Sequence, residues 1–360
     1  MTVSTDAGDM TSADPQFSII IVAYNSAPVL ARCLSALDRQ SHKSFEVLIV
    51  DNGANGAAVE EARKRNPDIR VLASEGNIGF AAANNLAARE ARADWLVLLN
   101  PDAFAHPDWL ARIRDAIREY PGATMFGSTQ LRADRPEILD GAGDHYHPLG
   151  LAWRGGEGDP AETVDRDVEV FGPCAAAAVY RRDAFERAGG FAQRFFCYYE
   201  DVDLAFRLRL AGETCVQLAD ARVDHVGSTT AGAGSDFIRY HVTRNRVWTF
   251  LRCMPTALLI LLAPPLIASL IARVIIAAIS GGLGSRWRAV RDAASALPEV
   301  MEERRAIQSE RRLGNVAVAR LMTWSVGKLI LRARDGRSLP VEGGVEFQPS
   351  NRDEKRHDRL

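Results

Sequence analysis

The apolar positions of this chain fall into two kinds of run. Phe17 to Ala23 and Phe45 to Val50 are almost continuously apolar and β-branched, as expected of parallel strands covered on both faces. Between them Val29, Leu30, Cys33, Leu34 and Leu37 recur at spacings of three and four, which predicts a helix entered at Pro28. The alternation continues with a helix over Ala57 to Arg65, a short strand over Ile69 to Ala73, a helix over Phe80 to Arg92 and a strand over Trp95 to Leu99. Such repetition predicts a doubly wound α/β domain with a mostly parallel sheet. Ligands of such sheets bind beyond the carboxyl ends of the strands. Three polar corners stand there: Tyr24-Asn25, Asp51-Asn52-Gly53 and Asn100-Pro101-Asp102.

Further along, Met125 to Phe171 reads as strands with long loops rich in Gly, His and Asp. Gly172 to Tyr180 is a small-residue segment able to bring backbone close to a ligand, and Ala184 to Ala188 predicts a short helix ended by Gly189-Gly190. After the aromatic run Phe195 to Tyr199, Glu200-Asp201-Val202-Asp203 opens a helix whose macrodipole favours ionised carboxylates. A strand over Thr214 to Leu218 leads to Asp224-His225.

The last third changes character. Ala257 to Ile279 carries one charge and is long enough to cross a bilayer at about 20 residues per span. Pro264-Pro265 predicts a break into two short halves. Arg286, Trp287, Arg288 and Arg291 follow, a set suited to an anionic headgroup layer. A peripheral or re-entrant association with the cytoplasmic face of the cell membrane is expected. The expected organisation is a disordered lead-in over 1–16, a catalytic domain over 17–250, a helical membrane-associating extension over 251–335 and a polar disordered tail over 336–360.

Net charge refines this division. The chain has 44 Lys+Arg and 46 Asp+Glu, a formal −2, which gives no electrostatic reason to expect nucleic acid. From Arg273 to Pro340, however, 13 basic residues face 6 acidic ones, a local +7. The five cysteines form no CxxC pair, so neither a disulfide framework nor a cysteine-rich zinc site is expected. The first 16 residues hold three aspartates, no Lys or Arg and no apolar run, unlike a secretory signal.

Chemistry concentrates at four places. Asp102, at a strand end, is placed to hold a divalent cation whose other ligands are water and phosphate. Glu200-Asp201, flanked by aromatics, offers a general base in a partly dry pocket. His225 follows a strand as a candidate ligand. Gly76-Asn77-Ile78-Gly79 opens a helix carrying Asn84 and Asn85, and glycines there admit anionic oxygen to backbone N–H groups. His145 and His147 lack a third nearby ligand in sequence, and no zinc is assigned to them.

Taken together, SIIIVAYN (Ser18 to Asn25), VDNG (Val50 to Gly53), GNIGFAAANN (Gly76 to Asn85), LLNPD (Leu98 to Asp102), GGF (Gly189 to Phe191), YYEDVDLAFRLRLAG (Tyr198 to Gly212) and DHVGS (Asp224 to Ser228) resemble, in order and spacing, glycosyltransferase family 2. Within it the chain is similar to the rhamnosyltransferase-like branch. The resemblance implies a GT-A fold and an inverting, Mg²⁺- or Mn²⁺-dependent transfer of a sugar, rhamnose in this branch. The donor would be a nucleotide-diphospho-sugar, and the acceptor a saccharide or a polyprenyl-linked one. It also implies that Ala23, Tyr24 and Asp51 hold the nucleobase, with Asn77 and Asn84 near the ribose and sugar. Asn100, where many relatives carry an aspartate, would sit on the donor side; Asp102 and His225 would bind the metal, and Asp201 would be the base. Two other readings stand beside it: a non-catalytic carbohydrate-binding scaffold, which would not need all of Asp51, Asp102, Asp201 and His225, and a nucleotidyltransferase, which would want a glycine-rich basic loop after the first strand.

Overall fold

The computed structural model describes residues 14–53, 56–227 and 234–339. Residues 1–13 of the expected lead-in, Ser228 of the DHVGS motif and residues 340–360 of the expected tail lie outside this range.

The first half folds as β1 (Phe17–Ala23), α1 (Ala27–Asp38), β2 (Phe45–Asp51), α2 (Ala57–Arg65), β3 (Arg70–Ala73), α3 (Phe80–Glu90), β4 (Trp95–Leu99), β5 (Ala103–Ala105) and α4 (Trp109–Glu119). The second half adds β6 (Ala123–Arg132), β7 (Arg135–Gly141), β8 (Asp144–Tyr146), β9 (Ala152–Arg154), β10 (Val168–Glu169), β11 (Ala177–Arg181), α5 (Arg182–Arg187), α6 (Glu200–Leu210) and β12 (Thr214–His225). The sheet runs β10-β12-β6-β11-β4-β1-β2-β3, with β5 on β12 and β7 on β6. The segment β4-β1-β2-β3 is wholly parallel, as is the β6–β12 pair, whereas β11 enters antiparallel between β4 and β6. Alternate side chains of the parallel strands feed opposite cores. Ile19, Ile21, Ile49 and Val97 pack beneath α1 and α4, while Ile20, Val22, Leu48 and Leu98 pack beneath α3 and α6, and that two-sided burial explains the near-continuous apolar runs.

The small residues of the Gly172 segment have a packing reason: a Cβ on Gly172 would lie 2.4 Å from that of Ala205, so α6 could not approach.

Beyond β12 come α7 (Asp236–Cys253), α8 (Thr256–Ser280), α9 (Leu283–Ser295), α10 (Leu297–Ser309), α11 (Asn315–Leu321) and α12 (Val326–Ile330). Helix α7 runs through residue 250, where the sequence reading placed a boundary, and packs on α6, α9 and α10.

The expected break at Pro264-Pro265 does not occur: both prolines lie inside α8. Two interior prolines cost about 3 kcal/mol each, but Leu258, Leu262 and Leu266 recur every fourth residue and are buried. At about 1.5–3 kcal/mol per buried leucine, that stripe is large enough to hold the helix through its missing N–H groups. After α11 the chain returns to the sheet domain. Thr323 N–H donates to Tyr146 O at 2.9 Å, and Arg337 and Glu169 exchange backbone hydrogen bonds. Gly336 to Leu339, part of the expected tail, therefore lies against β10 and the core.

Candidate active site

The three polar corners share one edge because β1, β2 and β4 are parallel. The register pairs Ala23 with Asp51 and Ile20 with Leu98, which brings Asn100 and Asp102 level with both. At the first corner Tyr24 is half-buried and Asn25 adopts φ +49°. At the second, Asn52 donates to Asn77 Oδ1 at 3.1 Å and accepts from Ile78 N–H at 3.0 Å. Gly53 is required there, since a Cβ would come within 2.6 Å of Asn77 N. Asp51 Oδ1 is buried with no hydrogen-bond partner among the described residues, an orphan acceptor at a strand end. Asn77 spends its carbonyl on Asn52 and on Gly79 N–H. Asn84 is buried and donates to Phe80 O at 2.9 Å. Asn85 exchanges hydrogen bonds with the backbone of Phe191, tying α3 to the GGF motif.

Asp102 and His225 meet through the sheet. Antiparallel pairing sets His225 opposite Ala103, and Val226 N–H donates to Asp102 O at 3.0 Å. His225 Nε2 then lies 3.4 Å from Asp102 Oδ1, while Nδ1 donates to Asp140 Oδ2 at 2.7 Å. Asp140 is itself paired with Arg154. Burial opposes a charge on His225, but Asp102 and Asp140 outweigh it and raise the imidazole to about 9. A histidine whose second nitrogen is fixed by a carboxylate beside another carboxylate is the usual set-up of a metal ligand. This donor set fits a divalent cation.

Asp201 is reached by a different route. Helix α6 begins after a turn in which Phe196, Tyr198 and Tyr199 all have φ between +66° and +69°. Asn245 of α7 holds that turn by donating to the carbonyls of Phe195, Cys197 and Tyr198 at 3.0, 2.9 and 2.7 Å. Gly79 admits the turn against α3, since a Cβ there would lie 2.6 Å from Phe196, and Ala81 N–H donates to Phe196 O. Asp201 Oδ2 accepts from Ala175 N–H at 3.1 Å and Oδ1 from its neighbour Val202 at 2.9 Å. One residue on, Ala176 O accepts from Asn100 N–H at 2.9 Å. The segment Ala175-Ala176 thus bridges the Asp102 corner and the α6 carboxylate.

Burial pushes Asp201 above the ordinary carboxylate range against those N–H bonds, and pushes its neighbour Glu200 well above it. Asp144 of β8 completes the pair: burial and then the Asp201 charge raise it well above the usual value. Ligand atoms of Asp144, Cys174 and Asp201 lie within 4.8 Å of one another. Two carboxyls this close, one of them buried, disfavour two simultaneous charges.

The sequence reading did not single out Asp140, Asp144, Arg154 or Asn245. Asp140, Asp144 and Asn245 reach partners about 50 or more positions away, and Arg154 reaches Asp140 across 14, through strand pairing or helix packing that no local spacing marks. His145 and His147 have separate partners: His145 Nε2 accepts from Asp335 N–H and its ring packs on Trp153, whereas His147 Nδ1 accepts from Leu149 N–H.

A two-sided α/β sheet with an acidic strand end, a facing histidine and a carboxylate at a helix start is the arrangement of a GT-A-like fold. Residues 18–189 match the sequence model described as Glycosyl transferase family 2; the chain carries a family 2 domain and is a glycosyltransferase. N-acetylglucosaminyl-diphospho-decaprenol L-rhamnosyltransferase of Mycobacterium tuberculosis is 29% identical over 243 residues, covering 59% of this chain and 77% of that protein. Two solved structures share the fold. Mannosyltransferase PcManGT from Pyrobaculum calidifontis, in complex with GDP-Man and Mn2+, superposes with a TM-score of 0.51 at 19% identity over 86% of this chain and 87% of that one. GalNAc-T7 with UDP, GalNAc and Mn2+ superposes with a TM-score of 0.55 at 16% identity over 68% of this chain, which spans about half of that structure (49%).

Proposed function

We propose that this protein is an inverting glycosyltransferase using Mg²⁺ or Mn²⁺. In this reading it moves L-rhamnose from a nucleotide-diphospho donor onto a polyprenyl-diphosphate-linked saccharide at the cytoplasmic membrane surface, in cell-envelope polysaccharide synthesis. The observation that carries this reading is the Ala175-Ala176 bridge, which links Asn100, in the corner that holds Asp102, to the Asp201 carboxylate. Asp51, with its orphan oxygen, takes an N–H of the donor base, beside Ala23 and Tyr24. Asn77 and Asn84 line the path toward the donor sugar, with Asn100 behind them. Asp102 and His225 would hold the cation, with Asp140 fixing the imidazole; the bound ion would supply positive charge to the leaving diphosphate. Asp201, unprotonated, accepts the proton of the attacking hydroxyl. One displacement on the anomeric carbon inverts its configuration.

The membrane reading rests on α8. Its apolar stretch Thr256–Ile279 has a mean hydropathy of 2.4, and Ile260 is 71% exposed, with Leu261, Ile267, Ile271, Ile275, Ile276 and Ile279 also open. Because the chain after α8 returns to Tyr146 and Glu169, both ends of the helix stay on one side. This return supports a helix that lies in the surface rather than one that crosses it, with Trp287 and the neighbouring arginines at the anionic headgroups.

Purified protein incubated with dTDP-L-rhamnose, Mn²⁺ and N-acetylglucosaminyl-diphospho-farnesol should form a disaccharide of inverted anomeric configuration. EDTA should abolish the transfer. Transfer with retention, or full turnover in EDTA, would refute this mechanism. Turnover confined to another sugar nucleotide, or to free saccharides, would refute the donor or the acceptor assignment respectively.

A further inference from the structure

Most buried arginines of this fold meet a carboxylate. Arg207 and Arg252 share Asp203, Arg209 pairs with Glu169, and Arg154 pairs with Asp140. Arg304 instead caps the end of α7 through Leu251 O and Met254 O. Arg246 of α7 is different. It is 2% exposed, spends Nε and Nη2 on Leu149 O and on Ser269 Oγ of α8, and is paired with no carboxylate among the described residues.

Two further groups gather around it. His147 is 5% exposed. Its Nδ1 accepts from Leu149 N–H, so the neutral ring carries its proton on Nε2, which is buried with no partner. Arg273, the one charge in the apolar stretch of α8 and one turn from Ser269, has no acidic partner among the described residues. Its field reaches both Arg246 and Tyr199. Burial, with Arg273 adding to it, lowers Arg246 to about 10, and burial and Arg246 lower His147. Burying the Arg246 guanidinium and an orphan His147 N–H without an anion is costly, and Arg273 stands exposed on α8 one turn from the Ser269 that Arg246 holds.

We propose that His147, Arg246 and Arg273 form a diphosphate subsite for the isoprenoid-diphosphate-linked acceptor, between the apolar helix and the base. This rests on the reading of the acceptor as lipid-linked. Arginine is suited to planar, bidentate recognition of phosphate oxygens. Ile276, one turn beyond Arg273 on the same face of α8 and exposed, offers the isoprenoid a continuation into lipid. On the other side, Tyr199 OH joins this floor to the base helix by accepting from Ala152 N–H and donating to Gly150 O. Tyr199 is two residues before Asp201, so the subsite floor and Asp201 flank the same helix start.

The test uses the full chain in neutral detergent, without added divalent metal, and measures binding of farnesyl diphosphate, farnesol and phosphatidylglycerol vesicles to wild type, Arg273→Gln and His147→Phe. Loss of a charge-assisted contact is expected to weaken farnesyl diphosphate binding about tenfold or more in Arg273→Gln. The same ligand should also bind more weakly to His147→Phe, with farnesol and vesicle binding unchanged in both variants. Equal binding of farnesyl diphosphate by wild type and Arg273→Gln, or equal wild-type affinity for farnesol, would overturn the subsite. So would a loss of vesicle binding as large as the loss of farnesyl diphosphate binding, which would make Arg273 a general headgroup contact. The readout needs no donor and no transfer, so a failure of the lipid-linked acceptor reading shows separately, as wild-type turnover confined to free saccharides.

Discussion

Asn245→Ala tests whether the strained turn before α6 sets the position of the base. Asn245 is fully buried, and its amide serves the carbonyls of Phe195, Cys197 and Tyr198. With two hydrogens it makes at best two full-strength bonds, worth about 2 kcal/mol net at ~1 kcal/mol each. Against that, three non-glycine residues in the left-handed region store about 1–3 kcal/mol each. Without the amide the stored strain is at least as large as what opposes it, so the turn should relax and carry the start of α6 with it. A displacement of the base by about 1 Å costs on the order of 10²-fold in rate. Because relaxation recovers part of the lost bonding, the melting temperature should fall only by about 4–8 °C, taking ~2 kcal/mol at ~2–4 °C per kcal/mol. The assay is steady-state transfer with thermal unfolding on the same sample: kcat down about 100-fold, the donor KM near wild type, the fold intact. A kcat near wild type would refute the reasoning, since either the turn does not depend on Asn245 or the residue it positions is not the base.

Asp201→Asn should lower kcat by about 10²–10⁴-fold without loss of fold, read by transfer assay and circular dichroism. In the proposed mechanism Asp201 works unprotonated, and burial raises its pKa. Activity should therefore fall with acidification at a pH clearly above the ordinary aspartate value of about 3.9, visible as the acid limb of the kcat profile. Asp144→Asn should keep kcat within about threefold, because burial and Asp201 already hold that carboxyl protonated and the amide copies its neutral shape; a loss as deep as that of Asp201→Asn would show that Asp144 acts as an anion. Arg252→Met strips Asp203 and Glu303 of a shared partner held at 2.9 and 2.8 Å. Breaking a buried pair costs about 3–5 kcal/mol; Arg207 still serves Asp203 and Glu303 is partly exposed, so the lower figure applies. A fall of about 6–12 °C in melting temperature is expected, and none at all would deny that the network clamps α7 and α10 to α6.

The first half of the sheet was legible because its polar residues sit at strand ends. An apolar run sets each strand, parallel pairing aligns the runs, and Tyr24, Asp51 and Asp102 then share an edge with no further information needed. The second half depends on contacts far apart in sequence. Asp140 reaches His225 across 85 positions by the β6–β7 hairpin, and Asn245 reaches the turn before α6 across about 50. Helix α8 was misjudged for a related reason: two prolines are a strong local signal to stop, yet the stripe Leu258, Leu262 and Leu266 finds its partners only in the folded chain.

The first turn of α6 makes the same point within four residues. Glu200, Asp201 and Asp203 look alike as acids at a helix start, but they meet three different environments. Asp203 turns inward to Arg207 and Arg252 and clamps helices. Glu200 is buried with an unpartnered oxygen and is pushed toward its neutral form. Asp201, held by Ala175 N–H, is the one tied through Ala176 to the Asp102 corner. Helix periodicity supplies the acids; the partners packed around them decide which one remains free to take a proton.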